Sequence, residues 1–239
     1  MKNLWRTYVI SESLLLFPKL ITVGKREVDE LEKESWFSAY LEQSGEDGKS
    51  NENTGHQSVH HDIRFTKVFS DIADTIRNHL TTLGVDKSMI DINITKSFFN
   101  VKRHHGNPLH NHVENHISFT YYPHIHESRK QQLLFHQDIE KISNDPYEGF
   151  LNHMVTNWND INASSYSIPV QEGDIFVFPS KLCHSVVNED IQYNEVESFK
   201  TTEDLRRSRF CVVGDALLTR KDTKSYDRLL MPIENWRKF

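Results

Sequence analysis

The chain has 239 residues, of which 37% are hydrophobic and 26% charged, with a formal net charge of −6 at neutral pH. This is the composition of a single soluble globular domain, and no apolar run approaches the roughly 20 residues that span a bilayer. The negative balance argues against broad attraction to nucleic acid, although Arg206, Arg207 and Arg209 form a local basic cluster. Cys183 and Cys211 are too few for a disulfide framework, and the apolar run at 14–17 is too short for an export signal, so a reducing cytoplasmic setting is expected.

Taken in chain order, Val28, Leu31, Trp36, Phe37 and Tyr40 recur at helical spacing and predict an amphipathic helix over 28–40. Residues 43–58 are rich in Ser, Gly, Asn and Glu and read as a polar loop. The next segment, 65–83, carries Val68, Phe69, Ile72, Ile76, Leu80 and Leu83 at steps of one, three and four, the clearest helix in the chain. From residue 89 the pattern changes to alternation. In 90–101, Ile90, Ile92, Ile94 and Phe98 would share one face, with Asp91, Asn93 and Thr95 on the other.

Further strands are expected at 117–122, 132–136, 165–170, 175–178 and 209–218, with turn chemistry at 145–149 and 171–174 between them. A helical support over 1–88 and a run of short strands over 89–239 predict one mainly-β domain, a jelly roll or β-sandwich with supporting helices.

Eight of the 14 histidines fall between His104 and His136. Any one of them is more often a surface or hydrogen-bonded ring than a ligand, but that reading does not account for the clustering. In an extended strand, His110, His112, Glu114 and His116 would project from one face. A further imidazole, His184, follows the turn-and-strand segment 173–179. An Fe(II) oxygenase needs three protein ligands on one octahedral face, with adjacent positions left for a chelating cosubstrate and O2. His110, His112 and His184 satisfy that requirement, and so does the rival frame His112, Glu114 and His184; spacing does not choose between them. His116 lies too far along, and His104, His105, His124 and His126 receive no ligand role. A structural zinc site is less attractive, because the two cysteines lack paired spacing. Downstream, Arg209, Cys211 and Val213 would share a strand face. An arginine pointing into a barrel needs an anionic partner, and a dicarboxylate would serve; the competing reading is a surface arginine in the 206–209 cluster.

These residues resemble a family of bacterial and phage 2-oxoglutarate- and Fe(II)-dependent oxygenases. The resemblance runs through 16–18, 53–58, 97–101, His110-Asn111-His112, Ser118 with Tyr121 and Tyr122, 173–184, and the strand opened by Arg209. It implies a double-stranded β-helix holding Fe(II) through His110, His112 and His184, with Arg209 gripping 2-oxoglutarate, and it favours the His110 frame over the Glu114 frame. The implied reaction uses O2 and 2-oxoglutarate to hydroxylate an organic substrate, releasing succinate and CO2. The chain departs from the family at Val113, where proline is common, at Phe119, where glycine is common, and in the length of 185–208, which leaves Arg207 as a second candidate anchor. Two other readings remain: a cupin-type metalloenzyme that does not use 2-oxoglutarate, and a noncatalytic β-sandwich binding or assembly protein. The loops 43–58, 137–165 and 185–208 are expected to frame the entrance, and Trp158 and Tyr166 could stack on a substrate.

Overall fold

The computed structural model describes residues 19–44, 56–104, 106–127, 132–136, 156, 165–187, 197–222 and 230–238. The expected turn at 145–149, Trp158 and most of the three expected entrance loops lie outside the described residues.

After β1 (Thr22–Lys25) come the helices α1 (Glu30–Ser44) and α2 (Thr66–Thr82), then β2 (Ile90–Lys102), β3 (Asn107–His110), β4 (Ile117–Ile125) and β5 (Gln132–His136). The later elements are β6 (Ser165–Pro169), β7 (Asp174–Pro179), β8 (His184–Val187), the short helix α3 (Thr202–Arg206) and β9 (Arg209–Arg220). The strands form two antiparallel sheets in the orders β1-β7-β4-β9-β2 and β3-β8-β5-β6. From β2 onward the chain visits the large sheet at β2, β4, β7 and β9 and the small sheet at β3, β5, β6 and β8. This is the expected double-stranded β-helix.

The large sheet is buried on both faces, which is why β4 and β7 read as nearly continuous apolar runs. Phe99, Phe119, Tyr121, Val177, Phe210 and Val212 face the helices and pack with Trp36, Phe37, Tyr40, Phe69, Ile72 and Ile76. Tyr122, Phe176, Phe178 and Cys211, from the alternate positions, face the small sheet and pack with Leu133, Phe135 and Leu182. Trp36 anchors the helical layer: its ring stacks on Phe65 and meets Phe99 edge-on at 6.0 Å between centroids. Both helices form within a few residues of the expected bounds, but Leu31 and Leu83 are exposed and do not join the buried stripe.

Two backbone features shape the core. Gly173, in the expected turn before β7, has φ +84°, and a Cβ there would lie 2.1 Å from the Arg26 carbonyl oxygen, so glycine is required on both counts. In β2, the register against β9 shifts between Ile94 and Lys96, leaving Thr95 as a bulge. The bulge corrects the expected face assignment. Ile90, Ile92 and Ile94 pack on the helical side, whereas Phe98 turns to the cavity and Phe99 takes its place. One extra residue in a ladder reverses the side on which all later residues project.

Candidate metal and cosubstrate site

β3 ends at His110, which stands directly opposite His184, the first residue of β8. The expected continuous strand through 109–116 does not form. Val113 and Glu114 occupy a turn, and β4 starts only at Ile117. The connecting backbone is tied to the rest of the barrel instead: His112 N–H donates to the Ser180 carbonyl at 2.8 Å, and His116 N–H to the Ala216 carbonyl at 3.2 Å. The turn separates the four alternating candidates. His110 and His112 reach one end of the cavity, Glu114 is exposed on its wall, and the Nδ1 of His116 accepts a hydrogen bond from the Leu218 N–H at 2.9 Å. His124 is held elsewhere, between the Arg206 carbonyl at 2.8 Å and Glu172 at 3.4 Å.

His110, His112 and His184 converge, with one ring nitrogen of each lying within 4.8 Å of the others. Their ring centroids are 4.3 Å (His110 to His184), 5.2 Å (His110 to His112) and 5.3 Å (His112 to His184) apart. The Nδ1 atoms face acceptors: the Pro108 carbonyl for His110 at 2.7 Å, the Leu182 carbonyl for His184 at 2.9 Å, and both Asp215 carboxylate oxygens for His112 at 2.8 and 2.9 Å. Carbonyl and carboxylate oxygens only accept, so each Nδ1 carries a proton, which is the tautomer that leaves Nε2 as the ligating nitrogen of a neutral ring. Burial pushes the His184 pKa down to about 4, with the neighbouring His110 and His112 acting in the same direction, which keeps that ring neutral at neutral pH.

Asp215 was not among the expected site residues. Its side chain is fully buried and accepts from three side chains: His112, Ser118 Oγ at 2.5 Å and Lys96 Nζ at 2.9 Å. Burial alone would raise its pKa, but the hydrogen bonds from His112, Ser118 and Lys96 hold it below the usual carboxylate range. Lys96 reaches Asp215 from the far side of the Thr95 bulge. The signal was present in the chain: continuing the alternation Arg209, Cys211, Val213 by one step leads to Asp215.

Arg209 is 1% exposed and lines the same cavity, a space of about 360 Å³ that also includes the three histidines, Asn100, Asn107, Tyr122 and Cys211. Its Nη2 donates to the Asn100 side-chain oxygen at 2.8 Å and reaches Asn107 at 3.4 Å, and its Nε has no hydrogen-bond partner among the described residues. No carboxylate among the described residues pairs with this guanidinium. Arg207, the second candidate anchor, lies on the surface and pairs with Glu203. Arg206 likewise pairs outside, with Glu30 and Glu34. The basic cluster therefore divides, with Arg209 alone turned inward. Burial pushes the Cys211 thiol up to about 12, so this neighbour stays neutral.

Residues 98–195 match a family model described as "Putative 2OG-Fe(II) oxygenase". No curated protein matches the chain. Among solved structures, a prolyl-4-hydroxylase from Pseudomonas putida is similar at 9% identity and a TM-score of 0.45, over 86% of this chain and 88% of that one. EctD from S. alaskensis, crystallised with 2-oxoglutarate and 5-hydroxyectoine, is similar at 13% identity and a TM-score of 0.48, over 83% of this chain and 72% of that one. The epimerase SnoN, in complex with Fe3+, alpha ketoglutarate and nogalamycin RO, shows 8% identity and a TM-score of 0.47, over 90% of this chain and 91% of that one. The family match contains His110, His112 and His184, while Arg209 and Asp215 lie beyond it on β9. Over residues 98–195 the chain is thus similar to a family described as putative 2-oxoglutarate- and Fe(II)-dependent oxygenases.

Proposed function

We propose that His110, His112 and His184 hold Fe(II), that Arg209 pairs with the distal carboxylate of 2-oxoglutarate, and that the enzyme hydroxylates an organic substrate with release of succinate and CO2. The observation that carries this reading is the pairing, across one cavity, of three convergent imidazoles, each with an acceptor at Nδ1, with a buried guanidinium that lacks an acidic partner among the described residues. A buried, unpaired cation is costly, and a bound dicarboxylate would relieve that cost. Iron bound there would supply activation of O2 coupled to decarboxylation of the keto acid.

The protein groups have separate tasks. Asn100 and Asn107 hold the Arg209 fork through Nη2 where it lines the cavity. The Pro108 and Leu182 carbonyls and the Asp215 carboxylate set the orientation and tautomer of the three rings. Leu133, Val186, Val213 and Phe98 give the cavity an apolar wall that limits water around the reacting groups. Glu114, on the exposed turn, is a wall residue in this reading rather than a ligand.

The test is succinate formation in air from purified protein, Fe(II) and 2-oxoglutarate, screened against amino acids, nucleotides, sugars and peptides. Succinate release stimulated by one of these classes, with a product heavier by one oxygen atom, is the expected result. Metal binding without any 2-oxoglutarate binding would move the assignment to a cupin-type enzyme, and absence of any transition-metal binding would move it to a noncatalytic protein.

A further inference from the structure

The three histidines are not held alike. His110 and His184 donate Nδ1–H to neutral backbone carbonyls, whereas His112 donates to a fully buried carboxylate and lies within reach of both its oxygens. We propose that Asp215 is a positioning residue: it locks His112 in the Nδ1–H tautomer and lends an otherwise all-histidine site a negative charge at one remove from the metal. The proposal rests on His112 being a metal ligand.

The hydrogen bonds around Asp215 have a defined direction. A carboxylate only accepts, so Ser118 must give its single hydroxyl proton to Asp215 at 2.5 Å. Ser118 and Ser180 are 2.9 Å apart, and with the Ser118 proton already committed, Ser180 must donate to Ser118. Lys96 Nζ adds a third donor at 2.9 Å. Among the described residues, every side chain that meets the carboxylate is therefore a donor. If the role of Asp215 were only to neutralise Lys96, the pair could sit at the surface; instead the carboxylate is 0% exposed and set behind the ring. A carboxylate behind a ligating imidazole fixes its orientation and raises its basicity, and losing such a partner typically costs roughly 10- to 100-fold in metal affinity.

The test begins with the metal-free protein, uniformly labelled with 15N, at pH 8. Long-range proton–nitrogen correlation spectra should show His112 protonated at Nδ1 and bare at Nε2; a ring protonated at Nε2 instead would overturn the proposal, and this measurement needs no variant. Asp215→Asn should then populate the other tautomer and weaken Co(II) binding roughly 10- to 100-fold in a titration. If Asp215→Asn keeps the tautomer and binds Co(II) within twofold of wild type while His112→Ala loses binding, Asp215 has no positioning role and the metal site stands. If wild-type protein binds no Co(II), the metal reading itself fails and the proposal fails with it.

Discussion

An imidazole ligates a metal through whichever nitrogen its surroundings leave without a proton, and around this cavity the surroundings make the same choice three times. The partners that do so are two local carbonyls, each two residues before its histidine, and one carboxylate from a distant strand. The first kind is built into the backbone beside His110 and His184; the second is assembled only when β9 packs beside β4. Burial of His184 also has a consequence for stability. Its pKa is about 4 in the folded state against an ordinary value of 6.5, so between those limits the unfolded chain binds more protons than the folded one. Its stabilising contribution is therefore complete above pH 6.5 and is lost as the pH falls towards 4, a change of about 3 kcal/mol from this ring alone. His60, His79 and His136 are shifted down by burial, and His116 by burial and the Lys181 charge, so their effect adds in the same direction. Urea unfolding of the metal-free protein should show a midpoint that drops between pH 7 and 5, and His184→Leu should show a shallower drop. An equal slope in wild type and variant would mean that His184 is not held neutral.

Strands β2, β4 and β9 show how the core accommodates departures from regular alternation. Phe119, at the position where the related family commonly has glycine, is paired across the strands with Gly214. A Cβ on Gly214 would lie 2.3 Å from the Phe119 ring and 2.6 Å from the Lys96 carbonyl oxygen, so the space given up at one position is taken by the other. Gly214→Ala should destabilise the fold by about 1–3 kcal/mol, the usual cost of overpacking. Adding Phe119→Leu should recover only part of this, because the Lys96 contact is with backbone. A neutral effect of Gly214→Ala on the urea midpoint would contradict the packing. The same region marks where the sequence was legible and where it was not. The strands at 132–136 and 175–178 are legible because their apolar runs are bounded by polar stretches of sequence. The face of Phe98 was misread because a bulge leaves no mark in a hydrophobic pattern, and the run at 109–116 was misread because its alternation of polar residues is equally compatible with a turn.

Across the molecule, the two faces of the large sheet have different duties. One packs on α1 and α2 through Trp36, Phe99 and Tyr121, and the other presents Arg209, Cys211 and Val213 to the cavity, with Asp215 buried behind His112. The strand order places His184 beside His110 and carries Arg209 on β9 into the same cavity, with Asp215 of β9 against the His112 ring. Sequence spacing supplied the three histidines and Arg209 as candidates, because each sits in a recognisable segment. It did not supply Asp215 or Lys96, whose pairing depends on the register of β2 against β9 and on one bulge. The site is thus assembled by the whole barrel rather than by any one segment. The most direct measurement is anaerobic addition of Fe(II) and 2-oxoglutarate, followed by visible absorption. Wild type and Glu114→Gln should develop a metal-to-ligand charge-transfer band; His110→Ala, His112→Ala and His184→Ala should develop none, and Arg209→Gln should need at least roughly tenfold more 2-oxoglutarate, as expected for loss of a charged hydrogen bond. A band that survives His110→Ala but disappears in Glu114→Gln, or no band in wild type, would contradict the account.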